Sequence, residues 1–375
     1  MSLFLFLFVA EVMIRFAAPQ NRSGTWLERN ENGLMLNRAF HNAQHQFGDR
    51  TVIYHTGPFG LRSKTLAHSN RKILVIGDSF TFGWLLNEED TYVQHLQNRA
   101  DTEYGRGVVQ FLNGGVGGSG TDSHLGFVET FGDMINPDAL IVYLNVDDIG
   151  RSFRNRMYFL ADTDGFELVR STVEISYYEK IKSILNKSTV YSDVLQWILE
   201  RSHALQFVRN FLVTFNQNVA DRKSERMVIG GAVNRMANVT PADAVRLGQA
   251  LFIRLKKWTD QRKIPLLVLT TGFFNPEERI DDPTYHFSNQ CHDFFKLSGI
   301  AYGDLYPLVL GADGKDGVIL KKRMEHLIIP NETHPNEKGA ATVALASWPY
   351  VKDLLLSMRN DQHQFNGKNV RTVAE

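Results

Sequence analysis

The stretch Lys72-Ile73-Leu74-Val75-Ile76-Gly77-Asp78-Ser79-Phe80-Thr81-Phe82-Gly83 constrains the fold more than any other. An apolar run rich in β-branched residues stops abruptly at Gly-Asp-Ser, and a helix-like pattern follows. Such a run reads as a buried parallel strand that delivers a serine to the carboxyl edge of a sheet. Open α/β sheets place their sites at that edge. Glycine, aspartate and serine are also ordinary turn residues, so Ser79 needs partners elsewhere before it means chemistry.

The alternation of strand and helix continues downstream. Val108–Leu112 reads as a second strand and runs into the glycine-dense turn Asn113–Thr121. That turn lacks the lysine of a phosphate-binding loop and the acidic residue of a dinucleotide site, so no nucleotide cofactor is expected. Close approach of backbone to a substrate is the better use of its glycines. Ala139–Leu144 is a third strand, ending in Asn145-Val146-Asp147-Asp148. Thr240-Pro241-Ala242-Asp243 opens a helix, with an N-cap threonine, proline in the first turn and an acid at the third position. Pro265–Thr270 and Ile300–Tyr302 read as the fourth and fifth strands, and a helix through Phe287, Cys291 and Phe295 lies between them. The last element is the loop Ile328–Gly339, followed by a helix through Val343, Leu345 and Val351.

These signals divide the chain as follows. Residues 1–16 read as a signal or membrane-anchor remnant, because a continuous apolar run from Ser2 to Ala10 suits a globular core poorly. Glu11 and Arg15 interrupt it before the roughly 18–20 residues of a membrane span. The competing expectation is a buried helix packed through Leu3, Leu7, Val9 and Ile14. Residues 17–70 form an extended, turn-rich lead-in with short strands such as Thr51–Tyr54, and Arg62 is read there as a surface residue. Residues 71–149 and 239–357 carry the α/β pattern. Residues 150–238 interrupt it with aromatic, helix-prone patches ending at Phe207, Phe211 and Phe215, which read as a helical insertion or lid. Residues 358–375 are a polar tail.

The 375 residues, 43% of them hydrophobic, are ample for one large α/β domain with an elaboration. Lysine plus arginine balances aspartate plus glutamate at 41 each, which gives no overall attraction to nucleic acid or to anionic lipid. A small or neutral substrate is the expected partner. The single cysteine, Cys291, excludes an internal disulfide and a cysteine metal cluster, and no metal is expected.

A serine hydroxyl becomes a good nucleophile when a neighbouring base takes its proton, and histidine is the usual base. Of twelve histidines, His334 stands out, in a Pro- and Asn-rich loop directly before the final helix. The last helix of a doubly wound sheet packs beside the central strands, so a histidine there can reach Ser79.

Gly77-Asp78-Ser79, the Gly118 turn, Asn145–Asp148 and Thr333-His334-Pro335-Asn336 come in the order and spacing of the four blocks of the SGNH/GDSL hydrolases. The chain resembles that family over roughly residues 60–150 and 240–355, and its ILVIGDSFTFGW phrase looks most like the bacterial envelope-associated branch. The resemblance implies that Ser79 is the nucleophile and His334 its general base. It also implies an oxyanion hole made by the N–H groups of Ser79 and Gly118 and a block-three asparagine. Two positions depart from the family pattern. The donor asparagine falls on Asp147, which accepts but cannot donate when ionised, with Asn145 two residues earlier as the alternative amide. The orienting aspartate three residues before the histidine is Asn331, whose carbonyl oxygen can still hold an imidazole; Glu332 and Asp304 are alternative carboxylates.

The resulting expectation is a three-layer α/β/α sandwich, a flavodoxin-like parallel sheet of about five strands with an inserted helical subdomain. Its function would be that of a serine esterase removing an O-acyl group, such as O-acetyl, from a carbohydrate or lipid through an acyl-enzyme. The alternatives are O-acyl transfer to a glycan hydroxyl on the same scaffold, or a non-catalytic binding or assembly protein. The cell envelope, by membrane anchoring through the N-terminus or by export, is the expected location, with the cytoplasm as the alternative.

Overall fold

The computed structural model describes residues 2–30, 32–63, 71–155, 157–161, 165–171, 189–212, 240–273, 286–310 and 324–369. Its centre is a parallel five-stranded sheet made of β6 (Arg71–Gly77), β7 (Val109–Gly115), β8 (Ala139–Leu144), β11 (Leu266–Thr270) and β12 (Ala301–Gly303). The spatial order is β7-β6-β8-β11-β12, which is the 2-1-3-4-5 order of flavodoxin-like sheets. The topological switch therefore falls between β6 and β8, on the strand that ends in Gly77-Asp78-Ser79.

Side chains along β6 explain the continuous apolar run. Leu74 and Ile76 enter one core layer with Leu140, Val142 and Val268. Ile73 and Val75 enter the opposite layer with Ile141, Tyr143 and Leu267. Because successive strand residues face opposite ways, a strand covered on both sides must be apolar at every position. The first layer is closed by α4 (Thr121–Ile135), α8 (Pro241–Arg262) and α9 (His286–Leu297). The second is closed by α3 (Tyr92–Tyr104), α10 (Tyr306–Leu310) and α11 (Glu337–Asn369). Thr240 and Asp243 form the reciprocal capping box at the start of α8, with Pro241 in the first turn.

Several expectations need correction. α11 continues as helix through Asn369, so the polar segment from 358 to 369 extends the last helix. Leu345 is exposed, because two residues advance a helix by about 200° from the buried Val343. The segment 150–238 is not purely helical. It contains a β-hairpin of β9 (Tyr158–Leu160) and β10 (Leu168–Arg170) before α6 (Thr189–Leu199) and α7 (203–212). Phe215 lies outside the described residues. The lead-in folds into small antiparallel sheets built from β1 (Arg22–Ser23), β2 (Leu27–Arg29), β3 (Met35–Asn37), β4 (Asn42–Phe47) and β5 (Arg50–His55). Trp26, Tyr54 and Val52 of these sheets pack on Phe82 and Leu85, immediately after Ser79.

Arg62 is buried rather than at the surface. Its guanidinium donates to the carbonyls of Phe82, of Gly83 at 2.6 Å and of Leu86, and it lies over the rings of Tyr54 and Phe82. Burial lowers its pKa to about 10, so it remains a cation at neutral pH. Replacing Arg62 with Met leaves three carbonyls without their donor. The expected cost is about 3–5 kcal/mol of stability, read as a lower urea midpoint.

Candidate active site

α2 (Ser79–Phe82) starts directly after β6 and spans a single turn. Asp78 caps it, its Oδ1 accepting from Phe80 N–H at 2.9 Å, and Gly83 ends it in the left-handed region at φ 79°. The end of β7 passes so close that a Cβ on Gly115 would sit 2.2 Å from the nitrogen of Phe82. Only glycine fits there, and the serine is held on a short, tightly bounded turn.

His334 comes to Ser79 from the loop before α11. Asn336 pins that loop by donating to the carbonyls of His326 and Ile328, both at 3.0 Å, while its Oδ1 accepts from Gly339 N–H at 2.9 Å. The result is a 2.7 Å hydrogen bond between His334 Nε2 and Ser79 Oγ. The other ring nitrogen, Nδ1, meets Glu332 Oε2 at 2.6 Å. Asn331 is exposed, with φ 62°, and serves the bend that lets Glu332 fold back. The carboxylate against the imidazole is therefore two residues before the histidine and belongs to Glu332. Asp304 is engaged elsewhere, with Thr270 Oγ1 at 2.9 Å. Burial works against ionisation of Glu332. The His334 hydrogen bond and charge, with the N–H groups of Thr333 and His334, outweigh it and lower the pKa to about 2.

Two aromatic rings fix the imidazole plane. Trp84 stacks on it at 5.6 Å between centroids, and Phe80 lies at 5.0 Å. Neither was assigned a role from the sequence, although both sit within five residues of Ser79. The Trp84 ring is in turn met edge-on by His45 at 4.8 Å. Burial lowers the His45 pKa to about 4, so this ring adds no positive charge beside His334 at neutral pH.

The N–H groups of Ser79 and Gly118 have no acceptor among the described residues. Gly118 is exposed, with φ 73°, a conformation that favours glycine. The third donor expected from the sequence is not in place. Asn145 is fully buried and spends an amide N–H on Asp78 Oδ2 at 2.8 Å. Asp147 lies 3.5 Å from Arg151 Nη2. Arg151, on α5 (Asp148–Asn155), was not singled out from the sequence. Its Nη1 reaches Asp78 Oδ2 at 2.5 Å, Asp148 Oδ1 at 3.3 Å and the carbonyl of Ser119 at 3.4 Å. It thus ties the residue before Ser79 to the residue after Gly118. Asp148 is buried beside the Asp78 charge, and its pKa is raised well above the usual carboxylate range by burial first and by Asp78 second.

Beneath the site, His124 Nε2 meets Ser119 Oγ at 3.0 Å, and burial lowers the His124 pKa to about 4. Asp122 on the same helix is raised to about 6 by burial. The signs follow from linkage. His45 and His124 stay neutral in the fold while the unfolded chain takes up protons below about 6.5, so their contribution to stability is lost as pH falls from there toward 4. Asp122 acts the other way, losing stability as pH rises from 3.8 toward 6. Asp148, also raised, acts with Asp122. His124→Gln removes one histidine contribution, so between pH 6.5 and 4 its urea midpoint is expected to fall less, or rise more, than that of the wild type.

Among the described residues, no group of three or more His, Cys, Asp or Glu side chains is placed to hold a metal ion. No family model matches the sequence, and no curated protein matches it. Solved structures do match in chain path. A structure of TesA is 13% identical, covering 76% of this chain and 99% of its own, with a TM-score of 0.42. An acetylxylan esterase from Geobacillus stearothermophilus is 13% identical, covering 77% and 96%, with a TM-score of 0.41. A member of the lipolytic protein G-D-S-L family from Veillonella parvula is 13% identical, covering 74% and 96%, with a TM-score of 0.38. At these values the likeness assigns no role to any residue of this chain. The fold stands on its own sheet order, and the site on its own geometry.

Proposed function

We propose that the chain is a serine hydrolase of carboxylic esters, with Ser79 as nucleophile, His334 as general base and Glu332 as the group that orients and stabilises the imidazolium. The observation that carries this reading is the unbroken relay from Ser79 Oγ to His334 Nε2 and from His334 Nδ1 to Glu332, at 2.7 and 2.6 Å. Oγ attacks the ester carbonyl while Nε2 takes its proton. The carbonyl oxygen, now negative, accepts hydrogen bonds from the N–H groups of Ser79 and Gly118. His334 then gives the proton to the leaving alkoxide, releasing the alcohol and leaving an acyl-serine. Water, deprotonated by the same imidazole, attacks the acyl carbonyl, and the acid departs as Oγ recovers its proton. Glu332 stays ionised throughout, and the imidazolium that forms is sandwiched against Trp84, whose ring face favours a cation.

Arg151 supplies no third donor in this reading; it holds the Ser79 and Gly118 loops at one spacing through Asp78 and the Ser119 carbonyl. Arg151→Met is expected to lower kcat by about ten- to a hundredfold with little change in KM, and Lys, whose single nitrogen can stand in for Nη1 but not also reach Asp147 as Nη2 does, restores only part of it.

The acyl group is proposed to be small, with acetyl on a carbohydrate hydroxyl as the favoured case. Ser79 is only 5% exposed, which suits a short acyl chain. Hydrolysis of nitrophenyl esters of increasing chain length tests this. Rates should be highest for acetate and fall with length. A preference for long-chain esters contradicts it. Acetyl transfer to an added sugar, measured beside release to water, separates hydrolysis from transfer.

A further inference from the structure

The strongest unexplained feature lies away from the active site. α1 (Ser2–Ala17) exposes eight large apolar side chains, Phe6, Phe8 and Phe16 among them. Leu7 and Val9 are exposed as well, so the helix does not pack into the domain as a core element. α6 and α7, nearly two hundred residues later, expose seven more, including Trp197 at 58% and Phe211 at 62%. Glu11 joins these elements. Its carboxylate accepts from Ser202 Oγ at 2.8 Å and from the N–H groups of His203 and Ala204 at 3.1 and 3.0 Å, at the start of α7. Monomeric soluble proteins rarely leave so many large apolar side chains exposed on adjoining elements.

Three guanidinium groups flank the junction. Arg15 and Arg22 both donate to the carbonyl of Arg201, at 3.1 and 3.3 Å, and the Arg201 guanidinium lies 5.0 Å over the Trp197 ring. Burial and the charges of Arg15 and Arg201 lower the pKa of Arg22, a sign of how closely the cations crowd. Two acids lie among them: Glu11 caps α7 and pairs with Arg15 at 2.7 Å, and Glu200 accepts from Gln44 N–H at 2.8 Å and lies 3.8 Å from Arg201 Nη1, so the three cations exceed the two acids by one charge. A chain with zero formal charge thus carries a local excess of positive charge beside the exposed apolar side chains of α1 and α6.

We propose that α1, α6 and α7 form a docking surface for the headgroup region of an anionic lipid bilayer, with the apolar side chains in the acyl boundary and Arg15, Arg22 and Arg201 on the lipid phosphates. Among the described residues no helix is long and apolar enough to cross a membrane. Trp with Arg at the rim is the composition that interfaces favour. The inference is independent of the esterase reading.

Co-sedimentation of the full chain with phosphatidylcholine vesicles, with and without phosphatidylglycerol, tests it. Binding is expected to the anionic vesicles, to weaken with salt, and to be unaffected by inorganic phosphate at matched ionic strength. Arg201→Gln should lower the partition constant by roughly fivefold. Trp197→Ser and Phe211→Ser should lower it further. These side chains are exposed, so circular dichroism and the thermal midpoint should not move. Absence of binding by the wild type, or binding that these substitutions leave intact, overturns the proposal. So does a dimer in light scattering that Trp197→Ser dissociates, because a second copy would then be the occupant.

Discussion

Ser79→Ala is expected to reduce ester hydrolysis by at least about 10⁴-fold while leaving the fold intact, as judged by thermal midpoint and circular dichroism. The size of the effect follows from what the hydroxyl does. Without Oγ no acyl-serine forms, and the N–H donors and His334 are left to assist direct attack by water. The substitution removes one hydroxyl, whose partner His334 keeps its contacts with Glu332, Trp84 and Phe80. A large loss of stability is therefore not expected, and a retained rate would mean that another group attacks the ester.

The second large effect concerns the carboxylate. Glu332→Gln is expected to cost on the order of 10³–10⁴ in kcat, because a neutral amide cannot stabilise the imidazolium by charge and its N–H₂ facing Nδ1 would favour the wrong tautomer. Asn331→Asp is expected to change kcat by less than about twofold, because the Asn331 side chain is exposed and the Nδ1 atom is already occupied. The pair discriminates sharply. If Asn331→Asp accelerates the enzyme and Glu332→Gln is silent, the orienting residue has been misplaced. The two assays need only steady-state rates on one ester, with the thermal midpoint of each variant as a control for folding.

The sequence made the sheet legible because its strands are buried on both faces. Ile73–Ile76, Leu140–Leu144 and Leu266–Leu269 are unbroken apolar runs, and such runs survive without any knowledge of neighbours. Ser79 and His334 were legible for a related reason, since turn residues bracket both at sheet-edge positions. The orienting group was not. Asn331 and Glu332 differ by one residue, and which of them faces the imidazole depends on the left-handed backbone of Asn331. Arg62 was misread because nothing local shows that three carbonyls of the Ser79 turn converge on it. Arg151 was missed because its partners, Asp78 and Ser119, lie 73 and 32 residues away. The hairpin at β9 and β10 was hidden by strands of three residues each, too short for alternation to show. Composition likewise concealed the cationic junction of Arg15, Arg22 and Arg201, because an average over the whole chain reads zero.

The central claim is that Ser79 is activated by His334 for attack on an acyl carbonyl. Reaction with a fluorophosphonate probe, followed by mass-spectrometric mapping of the modified peptide, tests it most directly, because the phosphonyl group is captured only by an activated nucleophile. A single adduct is expected on Ser79, absent in Ser79→Ala and strongly slowed in His334→Ala. No adduct under conditions that label a control esterase, or an adduct on another residue, would contradict it.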